Sequence, residues 1–228
     1  MTAPISRAEL AKMIDHSLLK PTVTRDDTIA GLEVALKYDV AAATVKPCYV
    51  PLAASVLAGS DVKVNPVICF PFGYDTTATK VAQTREVVAQ GAQEIDMVLN
   101  VGALLGGELG LVQDDIADVV EAAEGRTVKV ILEIAYLDNS QIVTACKLCE
   151  AAGAHFVKTS SGFAPSGYTL EALRLMRASV GERVQVKAAH GVRSLADALA
   201  VREVGTTRFG ATQTEKIMAE WEAAYGQG

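Results

Sequence analysis

Residues 155–161 read HFVKTSS and residues 184–190 read VQVKAAH, each an apolar, β-branched run around a single lysine, Lys158 and Lys187. An ammonium group is poorly suited to a buried strand, because stripping its water is costly. The arrangement does have a chemical use. A lysine protonated at neutral pH cannot attack a carbonyl, but desolvation lowers its pKa and a second ammonium a few ångströms away lowers it further. On neighbouring strands facing one lumen, one of Lys158 and Lys187 attacks as the free amine while the other stays charged beside it. Asp96, in EIDMVLN, supplies a carboxylate to hold the cation or to pass protons through a water as a carbinolamine forms and collapses.

Other polar residues sit in similar runs: Asp15 and His16 in MIDHSLL, Lys46 in VAAATVK, Asn100 after Asp96, and Glu133 in VKVILEIA. Ser160 follows Lys158 on the same face, His190 follows Lys187, and Arg208 lies in TTRFGA. Three other readings stay open. The charges could simply neutralise one another, although buried ion pairs add stability unreliably. Asp15, Asp96, Glu133 and His190 have the donor types for a divalent metal, although two nearby lysines would repel it. A barrel that binds a sugar phosphate without turning it over is the third, although it has no need of an activated amine.

These residues need a scaffold, and the chain repeats one. Strand-like runs at 13–19, 40–46, 62–70, 94–100, 128–135, 155–161, 184–190 and 206–211 alternate with helical patterns such as TTATKVAQTREVVAQGA and LVQDDIADVVEAAEG. Thr169 and Ser194 are placed to cap two of the helices, and KIMAEWEAAYG gives a C-terminal one. The strand runs are apolar throughout rather than alternating, which suits a parallel sheet covered by helices. Eight such units predict one domain over residues 1–228 folded as an α/β, (β/α)8 TIM barrel, with chemistry at the carboxyl ends of the strands. An open doubly wound sheet is less consistent with the sequence, because no GxGxxG or GxxxxGK[ST] loop occurs.

Half of the 228 residues are apolar and the net charge is −6, which disfavours general attraction to nucleic acid or to anionic membrane. No apolar stretch is long enough to cross a bilayer, and MTAPISRAEL lacks the features of a signal peptide. The cysteines Cys48, Cys69, Cys146 and Cys149 include one CxxC and no second pair to complete a zinc site, so they read as free thiols in a reducing cytoplasm. Trp221 reads as packing against the barrel or a subunit neighbour, His155 as a surface or cap residue, and His16 as packed outside the lumen. Lys46 either faces the lumen or reaches into a loop.

IDHSLLKP, ICFPFG followed by TTATK, GAQEIDMVLNVG, VKVILE, FVKTSSGF and VKAAHGVR, in order from Ile14 to Thr212, resemble the deoxyribose-phosphate aldolases, which are class I Schiff-base enzymes. The resemblance implies a (β/α)8 barrel that reversibly cleaves 2-deoxy-D-ribose 5-phosphate to acetaldehyde and D-glyceraldehyde 3-phosphate with no metal or organic cofactor. It implies Lys158 as the Schiff-base lysine, Lys187 as the lysine that perturbs it, and Asp96 as the proton relay. Asp15 and Ser17 then fall on the sugar-hydroxyl side, and a homodimer or other homo-oligomer is expected.

The chain departs from the family where phosphate is held. The family grips it with backbone N–H groups and hydroxyls after the last three strands, here at Ser161 and Gly162, at His190-Gly191, and at Gly210 with Thr212. Thr44 stands for a pocket thiol, Ser161 for a threonine, Ile134 for a threonine after Glu133, His190 for a glycine, and Thr212-Gln213 for a serine pair. A side chain at His190 adds bulk where glycine would let the backbone approach an oxyanion. Either His190 itself binds the anion with Arg193 and Arg208 nearby, or the substrate is an unphosphorylated or differently substituted hydroxy-aldehyde or ketone.

Overall fold

The computed structural model describes residues 4–226. Eight parallel strands close on themselves in sequence order, β1 (Ile14–Ser17), β2 (Ala42–Val45), β3 (Lys63–Ile68), β4 (Glu94–Val98), β5 (Thr127–Ile131), β6 (Phe156–Lys158), β7 (Gln185–Ala188) and β8 (Arg208–Ala211). β8 pairs back onto β1, so no strand edge is left open. Seven of the eight lie within the runs read from the sequence, and β5 starts one residue before its run, at Thr127. The strands are short, and in β6 only Phe156–Lys158 belong to the ladder, so residues 159–161 already form the exit loop.

Helices α1 (Arg7–Ala11), α2 (Arg25–Tyr38), α3 (Val50–Val56), α4 (Thr77–Ala89), α5 (Val101–Leu105), α6 (Leu109–Ala122), α7 (Asn139–Ala151), α8 (Leu170–Ser179), α9 (Leu195–Glu203) and α10 (Thr214–Tyr225) ring the barrel. Seven of the ten start at a side-chain oxygen that accepts an otherwise unpaired first-turn N–H group, and α3, α6 and α10 have no such cap. Thr169 accepts from Ala172 and Ser194 from Asp197. Thr24 with Asp27 and Asp138 with Gln141 form reciprocal capping boxes. The sequence pattern gave no helix between β2 and β3, yet α3 lies there. Pro51 sits in its first turn, where a missing N–H leaves nothing unpaired.

The apolar core lies between sheet and helices and includes Leu10, Ile14, Leu32, Ile95, Met97, Ile116, Val130 and Phe209. One ion pair is buried in that layer. Lys80 on α4 donates to Asp115 on α6 at 2.5 Å and to the Val98 carbonyl at the end of β4 at 3.1 Å, and Thr77 also donates to Asp115.

Several side chains left open by the sequence now have definite places. His16 points outward and shares a 2.8 Å hydrogen bond with Thr214, and burial pulls its pKa down to about 4. Lys46 reaches into a loop, donating to the Val23 carbonyl at 2.6 Å above the Tyr49 ring, and does not face the lumen. Trp221 donates to the Ile5 carbonyl, and His155 accepts the Val128 N–H at the entry of β5. Cys146 and Cys149 are fully buried on α7 and unbridged. Burial pushes the Cys146 thiol up to about 12 and Cys149 well above its ordinary range. No helix among the described residues is long and apolar enough to cross a membrane.

Candidate active site

The lumen is filled by charge rather than by branched apolar layers. β6 and β7 pair so that Lys158 stands directly beside Lys187. Both ammonium groups donate to the same oxygen, Oδ2 of Asp96 on β4, at 2.7 Å each. Sharing one acceptor holds the two nitrogens within a few ångströms of each other. The β6 and β7 exits are also stitched together, because the Thr159 hydroxyl accepts the Ala189 N–H and donates to its carbonyl.

Beneath this pair lies a second tier that the sequence reading missed. Lys129 on β5 is fully buried and reaches Glu94 at 2.6 Å, Asp96 at 3.1 Å and Asp15 at 3.6 Å. Asn65 on β3 donates to Asp96 and to Thr44 and accepts from Lys129. Like the other two lysines, Lys129 follows a valine inside an apolar run, so its signal was present in the sequence. Arg208 closes the floor between Asp15 and Glu94. The anion-binding role considered for it beside His190 is therefore not available, since its guanidinium is already bound to carboxylates.

Counted formally, four cations (Lys129, Lys158, Lys187, Arg208) face three carboxylates (Asp15, Glu94, Asp96). The excess positive charge has consequences for titration. Desolvation, reinforced by Lys158 and Lys129, outweighs the attraction of Asp15 and Asp96 and lowers Lys187 to about 8. Lys129 moves the other way, above the ordinary lysine range, because burial is overcome by Asp96, Asp15 and Glu94. Burial opposes ionisation of Asp96, but three surrounding lysines hold its carboxyl well below the usual range, so it is ionised while all three keep their charge. Asp15 is likewise lowered, by Arg208, Lys187 and Lys129 against burial.

A cavity of about 320 Å³ opens over the carboxyl ends of the strands. Lys158 and Lys187 form its base, and Ser17 and Thr44 line one side. Ser161, Gly162, His190, Gly191, Gly210 and Thr212 line the other, together with Lys20 and Arg193. Asp96 and Asp15 are not on the wall; both have no exposed surface and lie below it, held by the lysines. The expectation that Asp15 lines the pocket is corrected accordingly: its side chain is tied to Lys187 at 2.5 Å and to Arg208. Asp15, Asp96, Glu133 and His190 do not gather, and among the described residues no three His, Cys, Asp or Glu side chains converge as a metal site requires.

Along the wall formed by the last three strand exits the backbone takes left-handed conformations at Gly162 (φ 95°) and Gly191 (φ 147°). His190 does so with a side chain, at φ 63°. The conformation is enforced from the neighbouring loop. Gly167 lies so close to the His190 carbonyl that any Cβ there would overlap it. The His190 Nδ1 is buried without a hydrogen-bond partner among the described residues.

A family model described as DeoC/LacD family aldolase matches residues 15–212. Deoxyribose-phosphate aldolase 1 of Staphylococcus aureus (strain MRSA252) is 50% identical over 93% of this chain and 96% of its own length. A putative deoxyribose-phosphate aldolase from Coccidioides immitis superposes with a TM-score of 0.92 at 34% identity, over 96% of this chain and 88% of that one. A deoxyribose phosphate aldolase from Aeropyrum pernix, described as a unique tetramer, gives 0.88 at 27% identity over 96% and 93%.

Proposed function

The chain belongs to the DeoC/LacD aldolase family, and from that premise we propose that it reversibly cleaves 2-deoxy-D-ribose 5-phosphate to acetaldehyde and D-glyceraldehyde 3-phosphate through an imine on Lys158. The protein is thus a lyase acting on a carbon–carbon bond, like the relatives it matches. One observation carries the assignment of roles: two adjacent lysines share one carboxylate oxygen, in a lumen with one cation too many, at the base of the cavity. Lys158 donates to Asp96 alone, whereas Lys187 is held by both Asp15 and Asp96. The less tethered amine is the one free to move toward a carbonyl.

When the surplus proton leaves, the Lys158 amine adds to C1 of the open-chain aldehyde. Asp96 moves a proton through a water as the carbinolamine loses its hydroxyl. The iminium is the electron sink for cleavage of C2–C3: the C3 hydroxyl gives up its proton, C3 becomes the aldehyde of the three-carbon product, and the C2–C3 electrons form an enamine. Protonation at C2 and addition of water release acetaldehyde and the amine. Lys187, on the neighbouring strand and donating to the same Asp96 oxygen, places a second amine beside the reacting nitrogen. Arg193, Lys20 and the left-handed turns at Gly162 and Gly191 suit a phosphate at the cavity rim. A homo-oligomer accords with the Aeropyrum pernix tetramer, and a reducing compartment with the four free cysteines.

Borohydride reduction in the presence of acetaldehyde, followed by peptide mapping, tests the assignment. An N-ethyl group on Lys158 is expected. Labelling of Lys187 instead would reverse the two roles, and no label on either would leave a barrel that binds without turnover. A second reading, an unphosphorylated substrate, is favoured by the His190 side chain at a position where the phosphate-binding turn calls for glycine.

A further inference from the structure

Beside the catalytic cavity is a second one of about 440 Å³, and Ser161 and Phe163 line both. Its rim is aromatic. Phe72, Tyr74, Tyr136 and Phe163 line it and are 59, 69, 53 and 44% exposed, so most of the large apolar side chains left in water by this fold collect at one opening. Phe72 stacks on Tyr74 at 5.4 Å between ring centres, which holds both rings at the mouth. None of the four rings carries a cation within stacking distance, although such pairs occur elsewhere at Tyr38, Tyr49 and Phe156.

At the base lies Glu133, 4% exposed. Both of its carboxylate oxygens accept from one backbone N–H, that of Ser161, at 3.1 and 3.3 Å. No lysine, arginine or histidine among the described residues reaches it at ion-pair distance, whereas the buried acids Asp15, Glu94, Asp96 and Asp115 all have cations. Glu133 also sits at φ 54°, ψ 59°, a strained position for a side-chain-bearing residue. A nearly buried carboxylate with spare lone pairs and no counter-charge is expensive unless something supplies one.

We propose that this second cavity binds a small organic ammonium group, its charge on Glu133 and its carbon body against Phe72, Tyr136 and Phe163. An electron-rich aromatic rim and a buried anion are the two elements that recognise alkylammonium ions, the ring faces through cation–π attraction and the acid by direct pairing. The catalytic cavity, lined by Lys20, Lys158, Lys187 and Arg193, repels the same ligand, so the two sites sort by charge. The inference does not depend on the aldol chemistry. The ammonium could belong to a free amine or to the far end of an amino-aldehyde reacting at Lys158.

Benzylammonium and its neutral analogue benzyl alcohol, titrated calorimetrically into the full chain at pH 7, test it. The cation is expected to bind about ten-fold more tightly than the alcohol. Glu133→Gln should abolish that preference, and Tyr136→Ala should weaken the cation while leaving aldol turnover unchanged. Equal binding of the two probes, or cation binding untouched by Tyr136→Ala, overturns the proposal even if Glu133→Gln fails to fold. Undiminished binding in saturating 2-deoxyribose 5-phosphate assigns the site to a free amine. Mutual exclusion, with a cationic amino-aldehyde outpacing its neutral isostere in aldol addition, assigns it to the acceptor's tail.

Discussion

An amine is a nucleophile only while it lacks a proton, and the lumen is arranged so that one proton among its four cations is surplus. Lys158→Ala removes the amine and is expected to lower aldol kcat/KM by at least about 10³-fold with an unchanged circular dichroism spectrum; ordinary turnover in that variant would refute the nucleophile. Lys187→Leu removes the extra cation instead, leaving three cations for three carboxylates. Its activity should survive at high pH, with the acid limb of the pH–rate profile displaced upward relative to wild type. Stability should respond too. Lys187 titrates near 10.5 when unfolded and about 8 when folded, so between those values the unfolded chain binds more protons and stability rises with pH. The rise is bounded at about 3 kcal/mol. Denaturant midpoints at pH 7.5 and 9.5 should therefore diverge in wild type and converge in Lys187→Leu.

The elements were legible where their pattern was pure and obscure where two signals overlapped. All eight strands showed as apolar runs because a parallel barrel buries both faces of each strand. The helix at Val50–Val56 is short and gives little periodic pattern, and Pro47 and Pro51 both fall in first turns, which tolerate proline. The lysine pair and Asp96 were visible as polar intrusions, and Lys129 was equally intrusive but passed over. Glu94 and Asn65, near the strand entries, look like ordinary edge residues until the barrel closes. That Lys187 is brought down to about 8 follows from its complete burial beside Lys158 and Lys129, which outweighs Asp15 and Asp96 and which no linear pattern encodes. Two contacts between elements predict specific losses. Gly167→Ala forces a Cβ into the His190 carbonyl and should move the β7–α9 turn, raising KM for the phosphorylated substrate several-fold with little change in kcat. Lys80→Met leaves Asp115 buried and unpaired between α4 and α6, and should cost about 3–5 kcal/mol in urea unfolding. Adding Asp115→Leu should restore most of that loss, because a buried ion pair replaced whole by apolar groups is close to neutral.

At the scale of the whole molecule the field is divided. The chain carries a net charge of −6, yet the cavity mouth presents Lys20 and Arg193 above Lys158 and Lys187, none of the mouth pair engaged in an ion pair among the described residues. A cationic cleft in an anionic body concentrates field lines and draws anions to the cavity, and salt weakens that attraction over roughly 10 Å at 0.1 M. This separates the two substrate readings. If a phosphate is held at the rim, kcat/KM for 2-deoxyribose 5-phosphate should exceed that for 2-deoxyribose by at least about 10²-fold, since charge-assisted hydrogen bonds to an anion contribute about 1.5–3 kcal/mol each. The advantage should shrink as ionic strength rises from 10 mM to 500 mM, while the rate for the neutral sugar stays constant. Arg193→Gln should reduce the same advantage about ten-fold and flatten its salt dependence, acting on KM and sparing kcat. Comparable rates for the two sugars at low salt would instead mean that the His190 side chain has closed the oxyanion turn, and that the lumen works on an unphosphorylated hydroxy-aldehyde.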